Sequence, residues 1–264
     1  MINVLLTGVG GQGTVLAAKV LAQAAQSKGW QVRTAETIGM AQRGGSVISH
    51  VRMGNNGEQV HAPLLTRGTA DLIIAFEPAE AARALPYLAP NGVIVTATTA
   101  VQPVTAALSK EPYRSADVVA CTEAALAHFA KQHTDVSRET IEASAEDAHA
   151  ADPAKASFAT ESAAANAVRE ACDAEGCGTE DIGTEGCGAC AAAVPYIAVD
   201  DMALTNAAGN RKALNTVLLA VAIAQGHIPL TIDDLKEAVV ACVKPRFAEM
   251  NLKAIDSTLS LIKA

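Results

Sequence analysis

Ile2-Asn3-Val4-Leu5-Leu6-Thr7-Gly8-Val9-Gly10-Gly11-Gln12-Gly13 is an apolar run that breaks directly into four closely spaced glycines. The apolar part predicts a short buried strand, and the glycines predict a tight turn out of it. From Thr14 to Lys28 the spacing becomes helical, with Val15, Ala18, Leu21, Ala22 and Ala25 on one face. Gly29 ends that helix, and Trp30-Gln31-Val32-Arg33-Thr34-Ala35 predicts a second strand. Strand, glycine turn, helix and strand form the opening unit of a doubly wound α/β fold.

The rest of the chain extends the pattern. Ser46 to Met53 alternates apolar and polar residues as a half-buried strand does, and Asn55-Asn56-Gly57 predicts a turn that folds Glu58–His61 back as a hairpin. Asp71-Leu72-Ile73-Ile74-Ala75-Phe76 has the continuous apolar character of a strand covered on both faces. Pro78 opens a helix at its favoured first position, and Pro90-Asn91-Gly92 predicts a turn before a strand over Val93–Ala97. Pro195–Val199 is one more strand. Helices are expected at about 202–208, 211–225 and 232–262, the last broken near Pro245 and started by a Thr231–Asp234 capping box. The expected fold is therefore α/β: a mainly parallel, doubly wound sheet flanked by helices, in a single domain carrying an insertion.

Charge locates the insertion. The chain has 264 residues and a net charge of −8. Residues 121–192 hold 14 acidic against four basic side chains, a net of −10, so the remainder is slightly basic. The same segment holds 21 alanines and five of the six cysteines but few large apolar residues, too few for a core of its own. An acidic insertion over 116–192 thus interrupts a domain made of 1–115 and 193–264. Only 3% of residues are aromatic, which leaves no platform for stacking bases. The acidity also excludes a basic groove for nucleic acid. No apolar run approaches the ~18 residues that would span a bilayer; Val217–Ala224 stops at Gln225. The N-terminus lacks a basic region before its apolar run and reads as a strand, not a signal peptide, so a soluble cytoplasmic protein is expected.

Two loops carry the chemistry. Gly8, Gly10 and Gly13 match the dinucleotide pattern G-x-G-x-x-G between a strand and a helix, where glycine lets the backbone approach a ligand and the helix start offers N–H groups to an anion. Glu36, at the end of the second strand, has the place of a ribose-binding acid. A nicotinamide nucleotide, another anionic ligand or a partner's backbone, and a purely structural turn all fit these residues. The second loop is Glu36-Thr37-Ile38-Gly39-Met40-Ala41-Gln42-Arg43-Gly44-Gly45-Ser46, expected at the carboxyl end of the sheet, where open α/β sheets bind ligands. Arg43 can clamp a phosphate or carboxylate there, or be solvated or paired locally.

Gly8-x-Gly10-Gly11-Gln12-Gly13, Gly39-Met40-Ala41-Gln42-Arg43-Gly44-Gly45-Ser46 and Ser49-His50-Val51-Arg52 closely resemble the gamma-type subunits of 2-oxoacid:ferredoxin oxidoreductases, in particular the indolepyruvate type. Asp71–Glu77, Pro90-Asn91-Gly92, Gly209-Asn210-Arg211-x-Ala213-Leu214-Asn215-x-Val217-Leu218-Leu219, Arg246-Phe247 and Asn251 extend the resemblance over roughly 1–115 and 193–264. It implies an enzyme complex that oxidatively decarboxylates a 2-oxoacid, transfers the acyl group to coenzyme A and passes electrons to ferredoxin. It also implies that thiamine diphosphate, magnesium and [4Fe–4S] clusters lie on a separate large subunit. The sequence agrees: it contains no GDG…NN thiamine motif and no C-x₂-C-x₂-C-x₃-C-P cluster run. The chain is then inert without that partner and holds no tight cofactor of its own, with coenzyme A a candidate ligand. Gly8, Gly10, Gly11, Gln12, Gly13, Arg43, Gly44, Gly45 and Ser46 become the binding residues, facing the thiamine site or holding coenzyme A phosphates. No catalytic residue is assigned.

Cys172-x₄-Cys177-x₉-Cys187-x₂-Cys190 departs from the family pattern. The four thiolates can bind zinc or an iron–sulfur cluster, with neighbouring glycines for the turns, or remain reduced thiols in an acidic loop. Cys121 and Cys242 are lone and read as ordinary buried thiols. The six histidines show no ligand spacing; His50, on the alternating strand, fits packing better than partner contact. No serine or cysteine sits in a nucleophile elbow.

Overall fold

The computed structural model describes residues 1–38, 45–101, 114–126 and 196–262. The chain divides into two compact units, Met1–Val119 with Pro195–Ala264, and Ala120–Val194. The described residues of the second unit, 120–126, are helical.

The first unit is built on six strands: β1 (Ile2–Val9), β2 (Gln31–Ile38), β3 (Ser46–Gly54), β4 (Ala70–Ala75), β5 (Leu88–Ala97) and β6 (Tyr196–Val199). Their order across the sheet is β2-β3-β1-β4-β5-β6. β1, β4, β5 and β6 pair in parallel, whereas β3 runs antiparallel to both β1 and β2. The sheet is mixed, with β3 alone reversed.

This order changes two details of the expectation. The second strand does not neighbour the first, because β3 inserts between them. Nor does the chain after Asn55-Asn56-Gly57 form a hairpin strand: residues 58–61 are irregular. Both edges of β3 are already paired, with Val51 opposite Val4 on one side and Thr34 on the other, so no edge remains for a returning strand. Gly54 passes close to that irregular chain; a Cβ there would collide with the Glu58 carbonyl oxygen. Pro90-Asn91-Gly92 likewise lies inside β5, as an irregularity between the pairs Ala70–Leu88 and Leu72–Val93.

The continuous apolar strands are covered on both faces. Leu6, Ile74 and Val95 are paired in register and join one core with Ala17, Ala18 and Leu21 of α1 (Thr14–Ser27). Leu5, Ile73 and Ile94, their neighbours on the opposite face, are equally buried. On that side α2 (Pro78–Ala84) packs against β1, β4 and β5. The first core is completed by α3 (Asp201–Ala207), α4 (Leu214–Ala224), α5 (Ile232–Cys242) and α6 (Pro245–Ile262).

Local signals hold where they have a mechanism. The Thr231 hydroxyl and Asp234 carboxylate form the reciprocal capping box of α5. Val15 is the exception: it is 37% exposed, while Ala17 and Ala24 are buried. α1 packs against both the sheet and α5, so its buried arc is wider than one stripe and rotated away from Val15.

Candidate functional site

The carboxyl ends of β1 and β4 lie side by side, and the glycine loop closes over them. Gly8 is still in β1, opposite Val47. The Gln12 side chain then turns back into the loop: its Oε1 accepts the Val9 N–H at 2.7 Å and its Nε2 donates to the Phe76 carbonyl at 2.8 Å. A Cβ on Gly8 would meet Gln12 Oε1 at 2.8 Å, the Thr14 hydroxyl at 3.0 Å and the Phe76 Cβ at 3.1 Å. The room that glycine leaves at position 8 is therefore taken by this chain's own side chains. Gly13 sits before α1 with φ 85° and accepts the first helical bond, from the Ala17 N–H at 2.9 Å. It also lies against the buried Asn215, whose Nδ2 would be 2.9 Å from a Cβ at position 13. Gly11, with φ 108°, is exposed, and among the described residues nothing lies within 4 Å of a Cβ there. Among the described residues no side chain caps the start of α1.

The second motif returns to the same edge. Gly10 donates its N–H to the Gly45 carbonyl at 2.9 Å, and Ser46 begins β3 opposite Val9. Gly45, Ser46 and the glycine loop are thus brought together; Arg43 and Gly44 lie outside the described residues, as do Cys172, Cys177, Cys187 and Cys190. Among the described residues no group of three or more His, Cys, Asp or Glu could hold a metal ion.

Glu36 is not brought to the loop. It pairs with Ser49, which pairs with Leu6, so it stands two strands from β1 on the exposed outer strand. Two strand spacings are roughly 10 Å. A ribose acid is needed on the strand beside the glycine turn, and β3 occupies that place. With Gln12 against Gly8 and Glu36 on the outer strand, the described residues do not bring the ribose-acid candidate to the glycine turn.

Two carboxylates that sequence reasoning missed stand at this edge. Glu77 caps α2, accepting the Glu80 N–H at 3.1 Å, and is 2% exposed. Glu80, 3% exposed, accepts the Ser46 hydroxyl at 2.6 Å and pairs with Arg83. The signal was present in Glu77-Pro78-Ala79-Glu80, an acid at the cap, proline at the first turn and an acid three residues on. What the local pattern lacked was the partner, Ser46, 34 residues away. At the neighbouring strand end, buried Asp201 accepts the Thr98 and Thr99 N–H groups at 3.1 and 2.9 Å.

His50 is buried on β3, its Nδ1 accepting the Leu65 N–H at 3.2 Å and its ring edge-on to Tyr87. Burial holds its pKa below the ordinary histidine value. It acts in packing and in tethering the irregular segment after β3. Cys242 is partly exposed, with burial raising its thiol pKa.

A mostly parallel sheet, layered by helices, with two glycine loops joined at its carboxyl edge defines an open α/β protein. The chain belongs to the pyruvate ferredoxin/flavodoxin oxidoreductase family, whose model matches residues 3–261. It is 47% identical over 113 residues to the indolepyruvate oxidoreductase subunit IorB of Archaeoglobus fulgidus, a match covering 42% of this chain and 54% of the relative. To the same subunit of Thermococcus kodakarensis it is 42% identical over 115 residues, 44% of this chain and 55% of the relative. The matches thus span about half the length of these curated relatives. Among solved structures, the gamma subunit of the keto/oxoacid ferredoxin oxidoreductase of Geobacter sulfurreducens shares the fold, with a TM-score of 0.54 at 16% identity over 100% of both chains. The 2-oxoglutarate:ferredoxin oxidoreductase of Magnetococcus marinus, solved with 2-oxoglutarate, coenzyme A and succinyl-CoA bound, has the same score at 14% identity. That likeness covers 99% of this chain and 31% of the other. No helix of the described residues is long and apolar enough to cross a membrane.

Proposed function

We propose that this chain is the small subunit of a cytoplasmic 2-oxoacid:ferredoxin oxidoreductase of the indolepyruvate type, working in a hetero-oligomer with a large subunit. The large subunit carries thiamine diphosphate, magnesium and [4Fe–4S] clusters, and supplies the decarboxylation and the electron path to ferredoxin. The small subunit contributes a docking surface at its carboxyl edge and a hold on the phosphates of coenzyme A. Family membership and the IorB relatives support the reading. The observation that carries it is the hydrogen bond from Gly10 to Gly45, which joins the two motif loops at the one edge where such sheets bind.

The residues present suit a phosphate in part. Gly11 is open and the start of α1 is uncapped, but the Gly10 N–H is committed to Gly45, so the loop offers fewer free donors than a nucleotide fold does. Arg43 and Gly44, on the loop that ends at Gly45, supply the missing cation and the close approach in this reading.

Anaerobic affinity purification from the native cell tests it. The expected result is a co-purifying large iron–sulfur subunit and indolepyruvate- and coenzyme A-dependent reduction of a viologen dye; a lone inactive chain would overturn the reading. Arg43→Ala should then weaken subunit docking or raise the KM for coenzyme A by about tenfold or more, the effect of losing a charge-assisted contact. Unchanged assembly and kinetics would remove Arg43 from the site.

Cys172, Cys177, Cys187 and Cys190 are assigned in the same reading as a candidate zinc or iron–sulfur set. Elemental analysis of the purified chain should find metal that Cys187→Ser loses; a metal-free chain would end that assignment.

A further inference from the structure

The start of β3 and α2 meet at one carboxylate, and the glycine loop is bonded to the residue just before that start. Glu80 is almost fully buried, and a buried carboxylate is retained at a cost unless donors meet it. The Arg83 side chain that pairs with it is 62% exposed, so the partner that ties Glu80 to the sheet is the Ser46 hydroxyl, at 2.6 Å. Ser46 is the first residue of β3, and its neighbour Gly45 receives the Gly10 N–H. A continuous path of bonds therefore runs from α2 through Glu80, Ser46 and Gly45 to Gly10. Packing α2 on the sheet needs no charge: Ala81 and Ala84 are buried without one. The charge at position 80 is explained by what it holds.

We propose that Glu80 is a positioning residue for the docking edge: through the Ser46 hydroxyl it fixes the Gly45–Ser46 return of the second loop and, through Gly45, the glycine loop at Gly10. The inference rests on the reading that this edge docks the large subunit and coenzyme A. A hydrogen bond to a charged acceptor is strong enough that its loss should be felt about tenfold or more at the groups it holds.

Ser46→Ala and Glu80→Ala remove the clamp from either side, and Ser46→Thr keeps the hydroxyl. In the free chain, amide exchange over residues 8–13 should quicken about tenfold in both alanine variants relative to exchange over residues 3–6, and stay near wild type in Ser46→Thr. In the reconstituted complex the same two variants should raise the docking Kd or the KM for coenzyme A by a similar factor, and Glu80→Ala should do so with kcat within about twofold. Exchange unchanged at 8–13, or quickened equally throughout β1, would overturn the clamp. Quickened exchange at 8–13 with docking and KM both unmoved would overturn its positioning role. If Glu80→Ala fails to fold, Ser46→Ala decides alone. Because exchange is read on the free chain, a wild-type chain that binds no large subunit would sink the functional reading and still leave the clamp decided.

Discussion

Gly13→Ala is expected to lower the stability of the first unit by about 2–3 kcal/mol and to weaken docking at the carboxyl edge with it. Two costs combine. The residue holds φ 85°, a left-handed conformation that costs an L side chain roughly 1–2 kcal/mol. The added methyl would also lie 2.9 Å from Asn215 Nδ2 and 3.4 Å from its Cγ. Asn215 is 4% exposed and its Oδ1 already accepts the Thr216 N–H at 2.9 Å, so it has little freedom to retreat. Relief must come from the loop, at the start of α1. Urea unfolding followed by the fluorescence of Trp30, the single tryptophan and a side chain packed on the first core, reads the loss directly. In an Asn215→Ala background the same substitution should cost less, because only the backbone strain remains. A Gly13→Ala chain within about 0.5 kcal/mol of wild type would mean that the loop does not hold this conformation.

The largest loss is expected from Phe76→Ala, about 3–5 kcal/mol by the same probe. Phe76 has no exposed surface and closes the core at the end of β4, between the sheet and the helices of the first face. Its truncation leaves a cavity in that core. The backbone carbonyl that receives Gln12 Nε2 is kept by alanine, so the cost belongs to packing and not to that bond. Phe76→Leu should recover much of it, leaving about 1–2 kcal/mol. A loss below about 1 kcal/mol for the alanine variant would contradict the buried placement.

Those two residues show how the sequence divides between what it states and what it withholds. β1, the turn at Gly8–Gly13 and α1 were readable because each rests on neighbours: apolar run, glycine and helical spacing act within a few residues. The capping box at Thr231 and the proline start of α2 were readable for the same reason. The hairpin after Gly57 was misread because the turn signal is real but says nothing about whether a strand edge is free. The reason for each glycine was likewise out of reach. Gly8 makes room for Gln12 and Phe76, and Gly13 for Asn215, which follows it by 202 residues.

The sequence by itself determined most of the elements, the α/β class, the acidic segment and the family, since these follow from local periodicity, composition and motif. Tertiary structure decided the strand order, and with it the chemistry of the edge. Placing β3 between β1 and β2 carries Glu36 away from the glycine turn and brings Gly45 and Ser46 to it. The buried Glu80 then becomes part of that edge through a bond spanning 34 residues. No local pattern encodes such a choice, because strand order is set by which faces and edges can be buried together once the whole sheet has formed.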